Sequence, residues 1–209
     1  MPPSRDAHGR RLAGPRSAHG VRVGTVNIAS GRDRLGRSVG APSLAAAVAG
    51  LDADVLSVQE LDTGQPRSHH VDRPAVLAEA FGALAWRDAA TVAGTPDPSA
   101  SWRPLEPPAL RGPDDDDRSG PRYGIGLFCR RPVLLRHVLG LPPGRARLPV
   151  PNPRAEELVR GPTFPAHRPR LQVDHLLALG GLTGRDPEIR ALAIGDHRAA
   201  VVTVQRRDS

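Results

Sequence analysis

Residues 51–62, LDADVLSVQELD, run a block of aliphatic side chains straight into a Gln-Glu pair. Val55, Leu56 and Val58 suit a buried strand. Glu60, at the carboxyl end of that strand, is the residue that needs an explanation. A carboxylate is costly to desolvate unless it is paired, hydrogen-bonded or metal-bound. Glu60 therefore stands at the solvent edge or has a partner.

Working outward, VRVGTVNI (21–28) alternates and is β-branched, which predicts a strand. PSLAAAVAGLD (42–52) predicts a short helix with Pro at its start and Ser43 as a candidate cap. DVLSVQE is the second strand and DRPAVLAEAFGAL (72–84) the second helix, so the chain opens strand, helix, strand, helix, the order of an α/β layer. Residues 93–122, with Pro, Gly and the run DDDD at 114–117, predict a long loop in which the aspartates form a solvated segment rather than a cation site. RYGIGLFCRRPVLLRHVLGL (122–141) predicts a hairpin turning around Arg130, Arg131 and Pro132.

From 141 to 170 prolines recur every few residues, and proline neither donates to a ladder nor continues a helix. This is a connector with at most a helical turn at RAEELV (154–159), and a structureless stretch of that length is unusual inside a compact domain. LQVDHLLALG (171–180), EIRALAI (188–194) and HRAAVVTVQ (197–205) then predict three more strands. Seven or eight strands against two helices, the late ones following one another directly, favour stacked and partly antiparallel sheets.

The chain has 209 residues, of which 39% are hydrophobic, enough for one sizeable core. We expect a tail over residues 1–20 and one domain over 21–205. The tail has no apolar run, so a secretory signal or membrane anchor is not expected, and a cytoplasmic location is the default. Cys129 is the single cysteine, which excludes an internal disulfide, and its place in a strand predicts a small buried hydrophobe. The net charge is +7 and every basic residue is arginine. Guanidinium groups fork onto phosphates, but these are scattered without a stripe, which fits the codon bias of a GC-rich genome better than a dedicated phosphate face.

Several strands end in, or begin just after, a polar residue: Asn27 in TVN, Glu60 in VQE, Asp174 and His175 in QVDH, Asp196 and His197 in GDH. Placed at one rim of the sheets, such a set builds a site. The chemistry it suits is metal-assisted hydrolysis of a phosphoester. Glu60 with Asn27 beside it offers hard oxygens to Mg²⁺. His197 would take a proton from water if Asp174 or Asp196 fixed its tautomer.

Read in order, VGTVNI, DADVLSVQELDTGQPRS, RYGIGLFCRRPV, PTFPAHRPRLQVDHLLA and GDHRAAVVTV resemble the endonuclease/exonuclease/phosphatase superfamily, the metal-dependent phosphodiesterases related to DNase I. The resemblance covers residues 21 to about 140 and 155 to 205. It implies an α/β fold, a DNase I-like sandwich of two mixed, largely antiparallel sheets flanked by helices. It further implies that Glu60 is the principal ligand of Mg²⁺ or Mn²⁺, with Asp196 beside the metal. Asn27 would assist at the metal and phosphate, His197 would be the general base and Asp174 would orient it. Tyr123 matches the aromatic that opens a family strand, and Arg67 with Ser68 matches the R-S segment after the Gln-Glu, with Arg67 facing substrate. The superfamily's loops serve DNA, RNA, inositol phosphates and sphingolipids, so the implied partner is a phosphoester, nucleic acid among the candidates, and not a membrane.

Two motifs of the superfamily are missing: a strand ending Thr-His-Leu, whose His contacts phosphate, and a strand ending Gly-Asp-x-Asn, whose Asp aligns the attacking water. The only asparagines are Asn27 and Asn152, Val150 stands two positions before Asn152, and no His follows a Thr. The stretch 144–154 therefore reads as the scar of an internal deletion that leaves the sandwich incomplete and the activity impaired. A pseudoenzyme that keeps half a site is the first alternative. A basic protein that binds nucleic acid through arginine alone is the second, disfavoured by only six Phe, Trp and Tyr for base stacking.

Overall fold

The computed structural model describes residues 20–115, 120–135 and 155–207. The expected tail, the deletion scar at 144–154, Asp116, Asp117 and the second arm of the 122–141 hairpin beyond residue 135 lie outside the described residues. Within them the chain order is β1 (Val21–Asn27), α1 (Ala41–Ala49), β2 (Val55–Thr63), α2 (Arg73–Phe81), β3 (Ala85–Gly94), β4 (Trp102–Arg111), β5 (Arg122–Cys129), β6 (Glu156–Glu157), β7 (Leu177–Ala178), β8 (Leu182–Arg190) and β9 (Ala199–Arg206).

Seven strands form one sheet in the order β4-β3-β5-β2-β1-β9-β8, and β6 pairs with β7 in a separate two-stranded sheet. Only β1 and β2 run parallel; α1 bridges them as the crossover that a parallel pair requires. The other pairings are antiparallel. This is the mixed, largely antiparallel α/β architecture expected, with the second sheet reduced to a short ribbon.

One sheet face carries the helices. Leu44, Val48 and Leu51 of the α1 region and Leu77 and Phe81 of α2 pack with Val26, Leu56, Val58, Phe128 and Val201 of the strands, all buried. Phe128 stacks against Trp86 at 6.4 Å between ring centroids. On the other face Ala200 and Val202 of β9 meet Val159 and are flanked by Leu158 and Leu176. Asp72 caps α2 by accepting from Ala75 N at 3.2 Å, whereas α1 begins at Gly40 without a side-chain cap, so Ser43 does not play that part.

Several local expectations are corrected. The segment 93–122 is not a continuous loop: β4 occupies 102–111 as an edge strand, where three prolines are tolerated because one side needs no ladder donors. LQVDHLLALG is strand only at Leu177–Ala178, and RAEELV pairs as β6 instead of turning helically. The strand placed at 188–194 lies at 182–190, with a register shift between Arg185 and Glu188 that accommodates Pro187. Cys129 is only half-buried. Among the described residues no helix is long and apolar enough to cross a membrane.

Candidate active site

β1 and β2 lie side by side with Asn27 in register with Gln59, so the ends of their buried segments reach the same rim. β2 does not stop there. Its pairing with β5 shifts between Val58 and Leu61, a bulge that re-aims the residues within it. Glu60 sits in that bulge with φ of 55°, a left-handed conformation costly for a residue with a Cβ and concentrated at functional positions. The conformation has a use, since Asn27 Nδ2 donates to Glu60 Oε1 at 2.9 Å. Asn27 Oδ1 accepts from Ala29 N at 2.9 Å, which fixes which way round the amide lies.

The second half of the site comes from the loop before β9 and the irregular segment 162–175. His197 Nδ1 donates to Asp174 Oδ2 at 2.8 Å, leaving Nε2 of the neutral ring as the proton acceptor. Asp196 Oδ1 lies 3.8 Å from that Nε2 and its side chain is 58% exposed. Phe164 tilts against the His197 ring at 5.0 Å. Thr163 is buried, and its hydroxyl accepts from the backbone N–H groups of Val173 and Asp174 at 3.3 Å each, seating the carboxylate in a stretch that has no ladder to hold it. Burial pulls the His197 pKa down, but the Asp174 hydrogen bond and the charges of Asp174, Asp196 and Glu60 outweigh it and hold the imidazole above its usual value.

Arg67 and Tyr123 complete the rim. Arg67 Nε and Nη2 fork onto Asp62 at 3.1 and 2.7 Å, its Nη2 also reaches Ser30 Oγ at 3.2 Å, and its guanidinium lies 5.5 Å from the Tyr123 ring centroid. The bond to Asp62 raises the Arg67 pKa. Burial first, and then the Glu60 carboxylate, push the Tyr123 hydroxyl up to about 12, so it is a proton donor at neutral pH. Glu60 thus acts electrostatically on His197 and on Tyr123, which links the Asn27–Glu60 pair to the Asp174–His197 pair and to the Arg67–Tyr123 contact. His175 does not join them: its Nδ1 bonds Glu157 Oε2 at 2.6 Å. Asp62, Thr163 and Ser30 were not singled out. Asp62 was legible in principle, as a second carboxylate two positions after Glu60.

No family model matches the chain, and no curated protein matches it. Among solved structures it is similar to the crystal structure of endonuclease/exonuclease/phosphatase from Beutenbergia cavernae DSM 12333, with a TM-score of 0.61 and 16% sequence identity. The match covers 90% of this chain and 72% of that one. The chain has the endonuclease/exonuclease/phosphatase fold. A share of 72% is consistent with an internally shortened version of it.

In an endonuclease/exonuclease/phosphatase fold a divalent cation would be held by oxygen donors. Among the described residues no side chain bonds Glu60 Oε2, and the Asp196 carboxylate faces solvent. One or two carboxylates with retained water suit Mg²⁺, which rarely takes an all-protein cage. No group of three or more His, Cys, Asp or Glu gathers for a metal among the described residues.

Proposed function

We propose that this protein is a metal-dependent phosphoester hydrolase of the endonuclease/exonuclease/phosphatase type, with turnover well below that of a complete site. The observation that carries the reading is the pairing of an Asp174–His197 dyad with an Asn27–Glu60 couple on one rim. Glu60 and Asp196 would hold Mg²⁺ or Mn²⁺, which when bound would neutralise charge growing on the phosphate oxygens. His197 Nε2 takes a proton from the attacking water, while Asp174 holds Nδ1–H and stabilises the imidazolium that forms. Arg67 and the Tyr123 hydroxyl donate to the phosphate, and Asn27 keeps Glu60 turned inward.

The missing Thr-His and Gly-Asp-x-Asn motifs favour a second reading, a pseudoenzyme that binds phosphate or Mg²⁺ without turnover, because each such group typically contributes at least tenfold in rate. The deciding experiment is hydrolysis of bis-p-nitrophenyl phosphate with Mg²⁺ or Mn²⁺, run beside His197→Ala and Glu60→Ala. Turnover that both substitutions abolish supports the hydrolase. No turnover from folded protein that still binds Mg²⁺ through Glu60 supports the pseudoenzyme. Turnover indifferent to both substitutions overturns the site.

A further inference from the structure

Arg73, the first residue of α2, is completely buried. Its Nη2 donates to Ser38 Oγ at 3.1 Å and to Val39 O at 3.4 Å. Its Nε and Nη1 have no hydrogen-bond partner among the described residues. The carboxylate whose charge it feels is Asp62, already forked by Arg67. Two guanidinium groups therefore share one acid, and burial lowers the Arg73 pKa accordingly. A charge kept in so poor an environment costs stability that a leucine at the same place would not.

What the guanidinium touches explains its retention. It occupies the space beside Gly31: a Cβ on that glycine would lie 1.5 Å from Arg73 Nη1. Gly31 ends three successive left-handed residues, Ala29, Ser30 and Gly31, at φ of 46°, 54° and 62°. Two of them carry a Cβ and would relax if nothing opposed them. This turn is a junction for the whole rim. Ala29 N holds Asn27 Oδ1, Ser30 Oγ accepts from Arg67, and Arg32 O, the next carbonyl along, accepts from Gly195 N at 2.7 Å beside Asp196 and His197. Arg73 also clamps the turn's far end, since Val39 N bonds Gly31 O at 3.0 Å while Val39 O takes Nη2.

We propose that Arg73 is a positioning residue: its buried guanidinium braces the Ala29–Gly31 turn and so holds Asn27 against Glu60. The proposal rests on reading Asn27 and Glu60 as the site, and its test does not require turnover. The side-chain amide of Asn27 is one of only two asparagine amides in the chain, so its NMR resonances are assignable by Asn27→Asp. In Arg73→Met, which keeps the bulk and removes the charge, we expect the Asn27 amide pair to move to solvent-exposed positions and Mn²⁺ affinity to fall about tenfold. Arg73→Lys should recover most of both. Gly31→Ala, with Arg73 intact, should reproduce the Met phenotype by forcing the turn off the guanidinium. Leu77→Ala in the same helix is the control for mere destabilisation and should leave the amide unmoved. Unchanged Asn27 resonances in folded Arg73→Met, or equal displacement in Leu77→Ala, would overturn the proposal. Displaced resonances with unaltered Mn²⁺ binding would keep Arg73 as a brace while removing Glu60 from the metal.

Discussion

Asp174 and His197 form a dyad whose direction of action is set by which ring nitrogen is occupied. The carboxylate takes Nδ1–H, so Nε2 is the atom left to accept a proton. The raised His197 pKa favours the imidazolium in the folded state. The stability it contributes is fully present below the ordinary histidine value and is lost as pH rises through the folded one. Asp174→Asn removes the charge and keeps a hydrogen-bonding group of similar shape. We expect the His197 titration followed by NMR to move to lower pH than in the unaltered protein, and any hydrolytic rate to drop by about tenfold or more. A titration midpoint unchanged in the Asn variant would show that the contact to Asp174 does not govern this histidine.

At the level of elements, β3 holds a strongly perturbed carboxyl group against β4. Asp88 is buried on β3, accepts from Thr63 Oγ1 at 3.3 Å and lies 3.8 Å from Arg111 Nε, while Arg111 itself forks onto Asp72, the cap of α2. Burial outweighs Arg111 and pushes the Asp88 pKa up to about 6. Its ionisation therefore works against folding. Stability should be highest below about pH 4 on this account and decline as pH rises through 6, by up to about 3 kcal/mol. Asp88→Asn should flatten that slope and unfold at higher temperature than the parent at pH 7.5; a parallel pH profile for the two would refute the assignment. These two strands are also the ones the sequence concealed. AWRDAATVAG has neither clean alternation nor a β-branched run, and WRPLEPPALR reads as a breaker until it is known to be an edge. β1, β2, β9 and both helices were legible because burial on one face imposes a period on the side chains. Asn27, Glu60, Asp174, Asp196 and His197 stood out as polar residues ending aliphatic runs. Arg73 and Thr163 did not, because a brace acts through contacts far apart in sequence and leaves no local pattern.

Across the whole molecule, the described residues clothe the sheet face opposite the helices only at one end. Leu110, Ala89 and Ile125 line up across β4, β3 and β5, with Leu127 two residues on, and Leu110, Ile125 and Leu127 are each about half exposed. Such a row beside an open edge strand is a site for self-association. The double substitution Ile125→Thr and Leu127→Thr, which keeps a β-former at each place, should raise the concentration at which light scattering appears several-fold with little change in melting temperature. Identical scattering curves would show that this face is not the cause. The pairing of β1 with β9 has a different consequence, one of timing. A ribosome that has made the chain through β5 has delivered Asn27, Glu60, Arg67 and Tyr123, yet neither Asp174 nor His197. If the proposed site is right, the nascent chain carries the groups assigned to face the phosphate before it carries the group assigned to accept the proton. On the proposed reading, any ability to cut a phosphoester would begin only after β9 slides in beside β1.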